Sequence, residues 1–241
     1  MTEISKEKGL NRAAWNLRHD PATRRKPLTD EEREFAAFTG GISGPQALPG
    51  RYSAKLFVGD KTFEKPVEVR LDPTLNVPSA DLMAQADMAL KLRDMQSATN
   101  EALKFLDGTK EQLQATEKRV KDATPQAPEE LQKTLATHIQ KIDSLQNKMS
   151  RPDNVPTYML GPRLIERLGG LLGSIDRLNA APTPYQQEYF MQLESEFTAR
   201  LAQVNDFINQ TVPQLNATLL KHNVSTVMAG KAIDAMRVSA K

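Results

Sequence analysis

Three histidines, His19, His138 and His222, are the side chains best suited to bind a metal or move a proton near neutral pH. None has a second histidine or a carboxylate at ligand spacing except Asp20 beside His19, and adjacent residues make poor partners around one ion. Carboxylate pairs occur at Glu129-Glu130 and at Glu194 and Glu196. Glycoside hydrolysis needs two carboxyls held about 5 to 9 Å apart across a cleft, whereas pairs on the polar side of a helix are ordinary solvated charge. Cysteine is absent, which removes disulfides, cysteine-ligated zinc and a thiol nucleophile together. The sequence therefore assigns no catalytic, metal-binding or cofactor-binding residue, and no cofactor.

Two further groups point to contact rather than chemistry. In Leu168-Gly169-Gly170-Leu171-Leu172-Gly173 three glycines sit inside a helical pattern, each costing up to about 1 kcal/mol relative to alanine. The run lacks the preceding strand and the Gly-Lys-Ser/Thr of a phosphate loop. Gly169, Gly170 and Gly173 are expected to let a β element or a partner approach closely; the alternative is that the glycine pair breaks the helix. Trp15, Tyr52, Phe57 and Phe63 have strand spacing and are expected in a β core; the alternative is an aromatic platform for sugars, which needs Trp15 or Tyr52 exposed on a flat face. Asn209-Gln210-Thr211, Asn216-Ala217-Thr218 and Asn223-Val224-Ser225 match glycan-acceptor triplets, but they fall in or beside a helical pattern and are expected to be incidental.

The elements that must carry these residues divide the chain in two. At 241 residues, 39% apolar and 26% charged, it is long enough for two modest cores. No apolar run reaches the roughly 18 residues of a spanning helix. The 32 Lys and Arg nearly balance the 30 Asp and Glu, so the net charge of +2 does not build a phosphate-neutralising surface and nucleic acid is not an expected partner. Met1 to Lys8 has no apolar stretch of the kind an export signal requires, so none is expected here.

Residues 1–78 read as β. Pro21, Pro27, Pro45, Pro49, Pro66, Pro73 and Pro78 forbid long helices there. Gly50 to Val58 alternates, with Tyr52, Ala54, Leu56 and Val58 on one face, and Gly59-Asp60 turns the chain into Lys61 to Glu64. Pro66 to Leu71 is expected as a further strand, and Leu10 to Leu17 as an earlier one that brings Leu10, Trp15 and Leu17 to the same core. Residues 19–48 form an excursion with a Gly-rich run at Thr39 to Pro45 and a short helix, where Thr29 caps and acidic residues open a turn carrying Phe35 and Phe38. Three or four strands are too few for a free-standing sandwich, which takes about seven; the β part is incomplete.

Residues 79–222 read as helices. Ser79 caps a stripe through Leu82, Ala86, Leu90, Leu103, Leu106, Leu113 and Val120, a helix of about 43 residues or about 64 Å, with Gly108 the expected bend. Ala123 to Pro128 stops it. A second helix carries Leu131 to Met149, a third Leu160 to Leu178, and a fourth starts at Thr183-Pro184 and is kinked or broken by Pro213. These lengths suit an elongated antiparallel four-helix bundle, in which long helices flank two shorter ones. Residues 223–241 are expected to be an extended or frayed tail.

Three segments carry a resemblance. Gly9-Leu10-Asn11-Arg12-Ala13-Ala14-Trp15-Asn16-Leu17-Arg18, Gly44-Pro45-Gln46-Ala47-Leu48-Pro49-Gly50-Arg51-Tyr52 and Val67-Glu68-Val69-Arg70-Leu71-Asp72-Pro73 resemble the C-terminal region of large bacterial sortilin-like β-propeller proteins, often labelled glycosyl hydrolases. Asn179 to Gln186 and Pro213-Gln214-Leu215-Asn216 look like the helical part that follows in that family, so the resemblance covers nearly the whole chain. Asn16 stands where the family usually has Asp, and the family's pattern places further strands and a long repeat propeller upstream.

The resemblance implies a periplasmic or extracellular parent whose propeller holds any ligand or catalytic site, with this region as its C-terminal accessory part. The expected fold class is α+β, mostly α: a partial immunoglobulin-like β segment at 1–78, a helical bundle at 79–222 and a tail at 223–241. The expected function is that of a non-catalytic structural or interaction module with a protein partner, a β-propeller domain being the partner implied. The alternatives are part of a glycoside or peptide hydrolase, or a carbohydrate-binding module.

Overall fold

The structure is a computed structural model and describes residues 7–38, 43–123, 128–152, 155 and 158–234, and the side chains of all of these except 35–38 and 123. It is mostly helical with one small two-stranded antiparallel sheet. A short helix α1 (Asp30–Phe38) precedes the strands β1 (Gly50–Val58) and β2 (Lys61–Val69). Then come α2 (Ser79–Ala123), α3 (Glu129–Met149), α4 (Leu164–Ile175), α5 (Pro184–Asp206), a π-helical turn (Phe207–Thr211) and α6 (Val212–Lys221). The Gly-rich run at 39–42, most of the segment that stops the first long helix, and residues 235–241 lie outside the described residues, as do the side chains of Phe35 and Phe38.

The 45-residue α2 is the spine. Its stripe of Leu92, Ala98, Ala102, Leu103, Leu106 and Leu113 is almost completely buried, and α3, α4 and α5 all pack on it. Each fully buried leucine contributes about 1.5–3 kcal/mol relative to exposure, so this stripe, more than helix propensity, holds the spine. Gly108 lies inside one uninterrupted α-helix, and a Cβ there would meet nothing. Ser97, Thr99 and Thr109 are buried, and each returns its hydroxyl to the carbonyl four residues earlier, which satisfies the group without a partner helix.

The third expected helix is shorter than its leucine pattern: α4 covers only Leu164–Ile175, leaving Leu160 and Leu178 outside. The glycine pair does not break it. Thr183 opens α5 as expected, accepting from Gln186 N–H while Gln186 Oε1 accepts from Thr183 N–H. At Pro213 the regular α-helix is interrupted: α5 ends at Asp206 and the chain widens into a π turn just before the proline, with Val212 N–H donating to Phe207 C=O. Proline lacks the N–H an α-helix would use at that point, and the extra residue in the π turn absorbs the mismatch.

In the β part, the expected second and third strands are one strand, β2, which runs through Pro66. Leu10 to Leu17 is irregular rather than a strand, and Leu10 is 92% exposed. Instead of joining a sheet, this segment forms an arm. Around Arg18 it pairs briefly with the loop before β1, through His19 N–H to Pro45 C=O and Ala47 N–H to Leu17 C=O. It then follows α2: Thr23 N–H donates to Ser97 Oγ, Asn100 Nδ2 donates to Thr23 C=O, and Arg25 forks onto Asp107 at 2.5 and 2.6 Å.

Candidate interaction surface

The hairpin presents apolar side chains that remain about half exposed. The pairing of Val58 with Lys61 around Gly59-Asp60 makes a two-residue turn, and Gly59 at φ +55° occupies the position that a type II′ turn gives to glycine. The register runs from Gly50↔Val69 to Val58↔Lys61 and sorts side chains by face. One face carries Tyr52, Leu56, Val58, Phe63 and Val67 together with Lys61 and Lys65; the other carries Arg51, Ser53, Lys55, Glu64 and Glu68 together with the exposed Phe57, and Lys55 and Glu64 pair at 3.6 Å.

The apolar face should be a core, yet Leu56, Val58 and Phe63 are each about half exposed and, among the described residues, no helix packs on either strand. An isolated two-stranded hairpin is marginal in water. Its cover is confined to the root, where Trp15 meets Tyr52 edge to face at a centroid distance of 5.1 Å. Trp15 Nε1 donates to Arg18 C=O and Tyr52 Oη to Leu48 C=O, which fixes both rings. The two planes stand at 64°, and Trp15 remains 44% exposed.

The two edges differ. Because Val58 and Lys61 exchange both hydrogen bonds across the turn, the backbone groups of Arg51, Ser53, Lys55 and Phe57 point away from β2, as do those of Thr62, Glu64 and Glu68 from β1. Pro66 falls in that outward row of β2 and has no N–H to offer. The row on β1 has no such interruption, and β1 is therefore the edge open to another strand.

At the hairpin root a cavity of about 270 Å³ is lined by Leu17, Pro45, Val69, Leu82 and Gln85, with Asp176 at its rim. Asp176 is already neutralised by Arg18, and Gln85 Nε2 donates to the carbonyls of Ile175 and Leu178. The space is smaller than most ligand pockets and reads as a packing seam.

The remaining residues singled out by sequence do not converge. Only Gly169 faces a neighbour, where a Cβ would come within 2.9 Å of Gln96 Nε2 on α2; Gly170 and Gly173 look onto open space. Close approach thus serves α4 against α2, not against the hairpin. Glu129 and Glu130 are exposed at the start of α3, while Glu196 pairs with Arg167 and Arg200. His138 Nδ1 bonds Thr134 C=O, His222 caps α6, and burial with the neighbouring Arg93 cation holds His19 below its ordinary pKa. Among the described residues no three His, Cys, Asp or Glu side chains are grouped to hold a metal ion, and no helix is long and apolar enough to cross a membrane. Comparison with protein-family models, curated proteins and solved structures finds no match to this chain.

Sequence reasoning missed the docked arm and the closing strap. The arm is not periodic and leaves no pattern to read. The strap, residues 224–234, expected as part of an extended or frayed tail, is anchored to the helices: Val227 is buried, and Asn216 and Asn205 bond the backbones of Val227 and Ile233.

Proposed function

We propose that this chain is a non-catalytic interaction module that presents a β hairpin on a long helical support to a protein partner. The carrying observation is the hairpin's amphipathic register, with Leu56, Val58, Phe63 and Val67 on one bare face beside an unblocked β1 edge. A partner strand that joins β1 gains backbone hydrogen bonds and buries that face at once, the mode of recognition by strand addition.

In this reading residues 1–78 are part of an immunoglobulin-like unit whose other strands come from outside the chain, and the helices of 79–222 are an elongated antiparallel four-helix bundle that serves as support. The resemblance to sortilin-like propeller proteins supplies the partner: a β-propeller domain in the periplasm or outside the cell, with this chain as accessory region.

The test mixes the chain with a purified propeller-bearing protein of that family and follows complex formation by sedimentation. A micromolar Kd is expected, lost in Leu56→Lys and in Phe63→Lys while the helical circular dichroism stays unchanged. No association at any accessible concentration, or equal binding by both variants, would sink the proposal.

A further inference from the structure

The open edge of the hairpin also carries charge. In β1 the outward row is Arg51, Ser53, Lys55 and Phe57, and the strand Gly50–Val58 holds two cations and no carboxylate. β2 is the strand that β1 already accepts, and its register sets Glu68 opposite Arg51 and Glu64 opposite Lys55. On the other face it sets Val67 opposite Tyr52 and Phe63 opposite Leu56. Opposite charges and apolar pairs that face one another across a ladder each stabilise it. On one side of β1, β2 thus displays the pattern that a strand on the other side must meet.

The carboxylates of β2 do not exhaust those cations. Glu68 pairs with Arg70 at 2.6 Å, and Arg51, exposed on its strand, has no ion pair among the described residues. Glu64 accepts from the Ser53 hydroxyl and lies 3.6 Å from Lys55, whose ammonium keeps further donors. A second copy of this chain is a poor occupant of the edge. Pairing β1 with β1 of that copy, antiparallel about Ser53, places Arg51 opposite Lys55, and like charges directly opposite destabilise a ladder. The copy's β2 edge would bring Glu64 and Glu68, but both are engaged and Pro66 interrupts the row between them.

We infer that the β1 edge takes an acidic strand of a partner protein, an alternating segment with two carboxylates spaced as Arg51 and Lys55 are and apolar side chains over Tyr52, Ala54 and Leu56. The inference rests on the reading of the hairpin as a strand-addition site and adds the chemistry of the strand. Backbone hydrogen bonds along an edge give affinity without regard to sequence. The two cations set the register. A slip by one residue carries the carboxylates to the apolar face, and a slip by two takes both of them off the cations.

The test titrates the full chain, at low salt, with two fluorescent strand peptides of alternating Thr and Val. In one peptide two Thr at the spacing of Arg51 and Lys55 are replaced by Glu, in the other by Gln. Expected is about fivefold tighter binding of the Glu peptide, the yield of two cross-strand charge pairs, with the difference gone in about 0.5 M salt. Arg51→Gln breaks no ion pair of the hairpin; it should shrink the difference to about twofold and leave the Gln peptide bound as before. Equal binding of the two peptides by the unaltered chain, or a difference untouched by Arg51→Gln, would overturn the acidic partner and leave strand addition standing. Binding of neither peptide beside an intact complex with the propeller-bearing protein would defeat this inference alone, and loss of that complex as well would defeat the strand-addition reading with it. Dimerisation of the chain that either peptide dissolves would seat a second copy on the edge and count against the inference too.

Discussion

Arg18 and Asp176 meet as a 2.5 Å ion pair although 158 residues separate them. Asp176 caps the end of α4, and its other oxygen accepts from Gln46 N–H at 3.0 Å. Arg18 in turn donates to Gly44 C=O at 2.9 Å. One carboxylate thus ties the arm, the loop that enters β1 and the helical body, and it is the polar anchor that sets where the hairpin leaves the helices. Both side chains are largely withdrawn from water, so salt screens the pair less than a surface contact.

Asp176→Ala removes the ion pair and the Gln46 bond together and leaves the guanidinium half-buried. The expected loss is about 1–3 kcal/mol in urea unfolding, with faster amide exchange at His19, Gly44 and Gln46. Asp143→Ala, which cuts the more exposed pair with Lys110, should cost no more than about 1 kcal/mol. Equal midpoints for the two variants would show that the arm is anchored elsewhere.

The helices were legible in the sequence because their signals are local and repeated: Ser79 and Thr183 start α2 and α5, and the leucine stripe of α2 fixes its buried side without reference to any partner. The hairpin was legible for the same reason, since alternation and Gly59-Asp60 suffice. What failed needed tertiary information. Leu160 and Leu178 continue the leucine pattern of α4, yet the chain leaves the helix before reaching them. Pro213 signals a disruption but not its form, because a π turn and a kink both accommodate a missing N–H. Of the residues singled out for contact, Trp15 and Tyr52 do come together, whereas only Gly169 of the three glycines meets a neighbour. The open face of the hairpin was hidden by the rule that alternating apolar residues mark a core, a rule that holds only if something covers them.

Leu106, fully buried on α2, gives the plainest test of that core. Leu106→Ala should cost about 2–5 kcal/mol, the transfer loss plus the cavity left behind. Leu220, 62% exposed on α6, should tolerate alanine within about 0.5 kcal/mol. Chemical denaturation of both variants checks the pair, and a small effect at Leu106 would mean that the spine is not buried as described.

Thr183 and Gln186 cap α5 reciprocally, so each loss exposes a backbone donor that the other cannot satisfy. Thr183→Ala is expected to destabilise by about 1 kcal/mol and Thr183→Ser by much less, since serine keeps the accepting oxygen. Thermal unfolding of the two variants reads the difference; equal losses would assign the effect to the methyl group instead.

His19 provides the pH dependence. Burial and the Arg93 cation hold its pKa below the ordinary 6.5, against smaller opposing contributions from Asp20 and Asp94. The unfolded chain therefore binds more protons at this site than the folded one once the pH drops below about 6.5, and stability must fall with acidification through that window. Glu64, held low by the Ser53 hydroxyl, and Asp72, held low by Thr74, act in the same direction but only below their unperturbed values of 4.5 and 3.8. Between pH 7.5 and 5.5 the slope thus isolates the histidine. His19→Gln keeps the backbone bonds to Pro45 and Gly44 and removes the proton, so its Tm should stay flatter over that interval than that of the unaltered chain. Two parallel Tm profiles would mean that the imidazole titrates as it does in the unfolded chain, and that the arm around it is open to solvent.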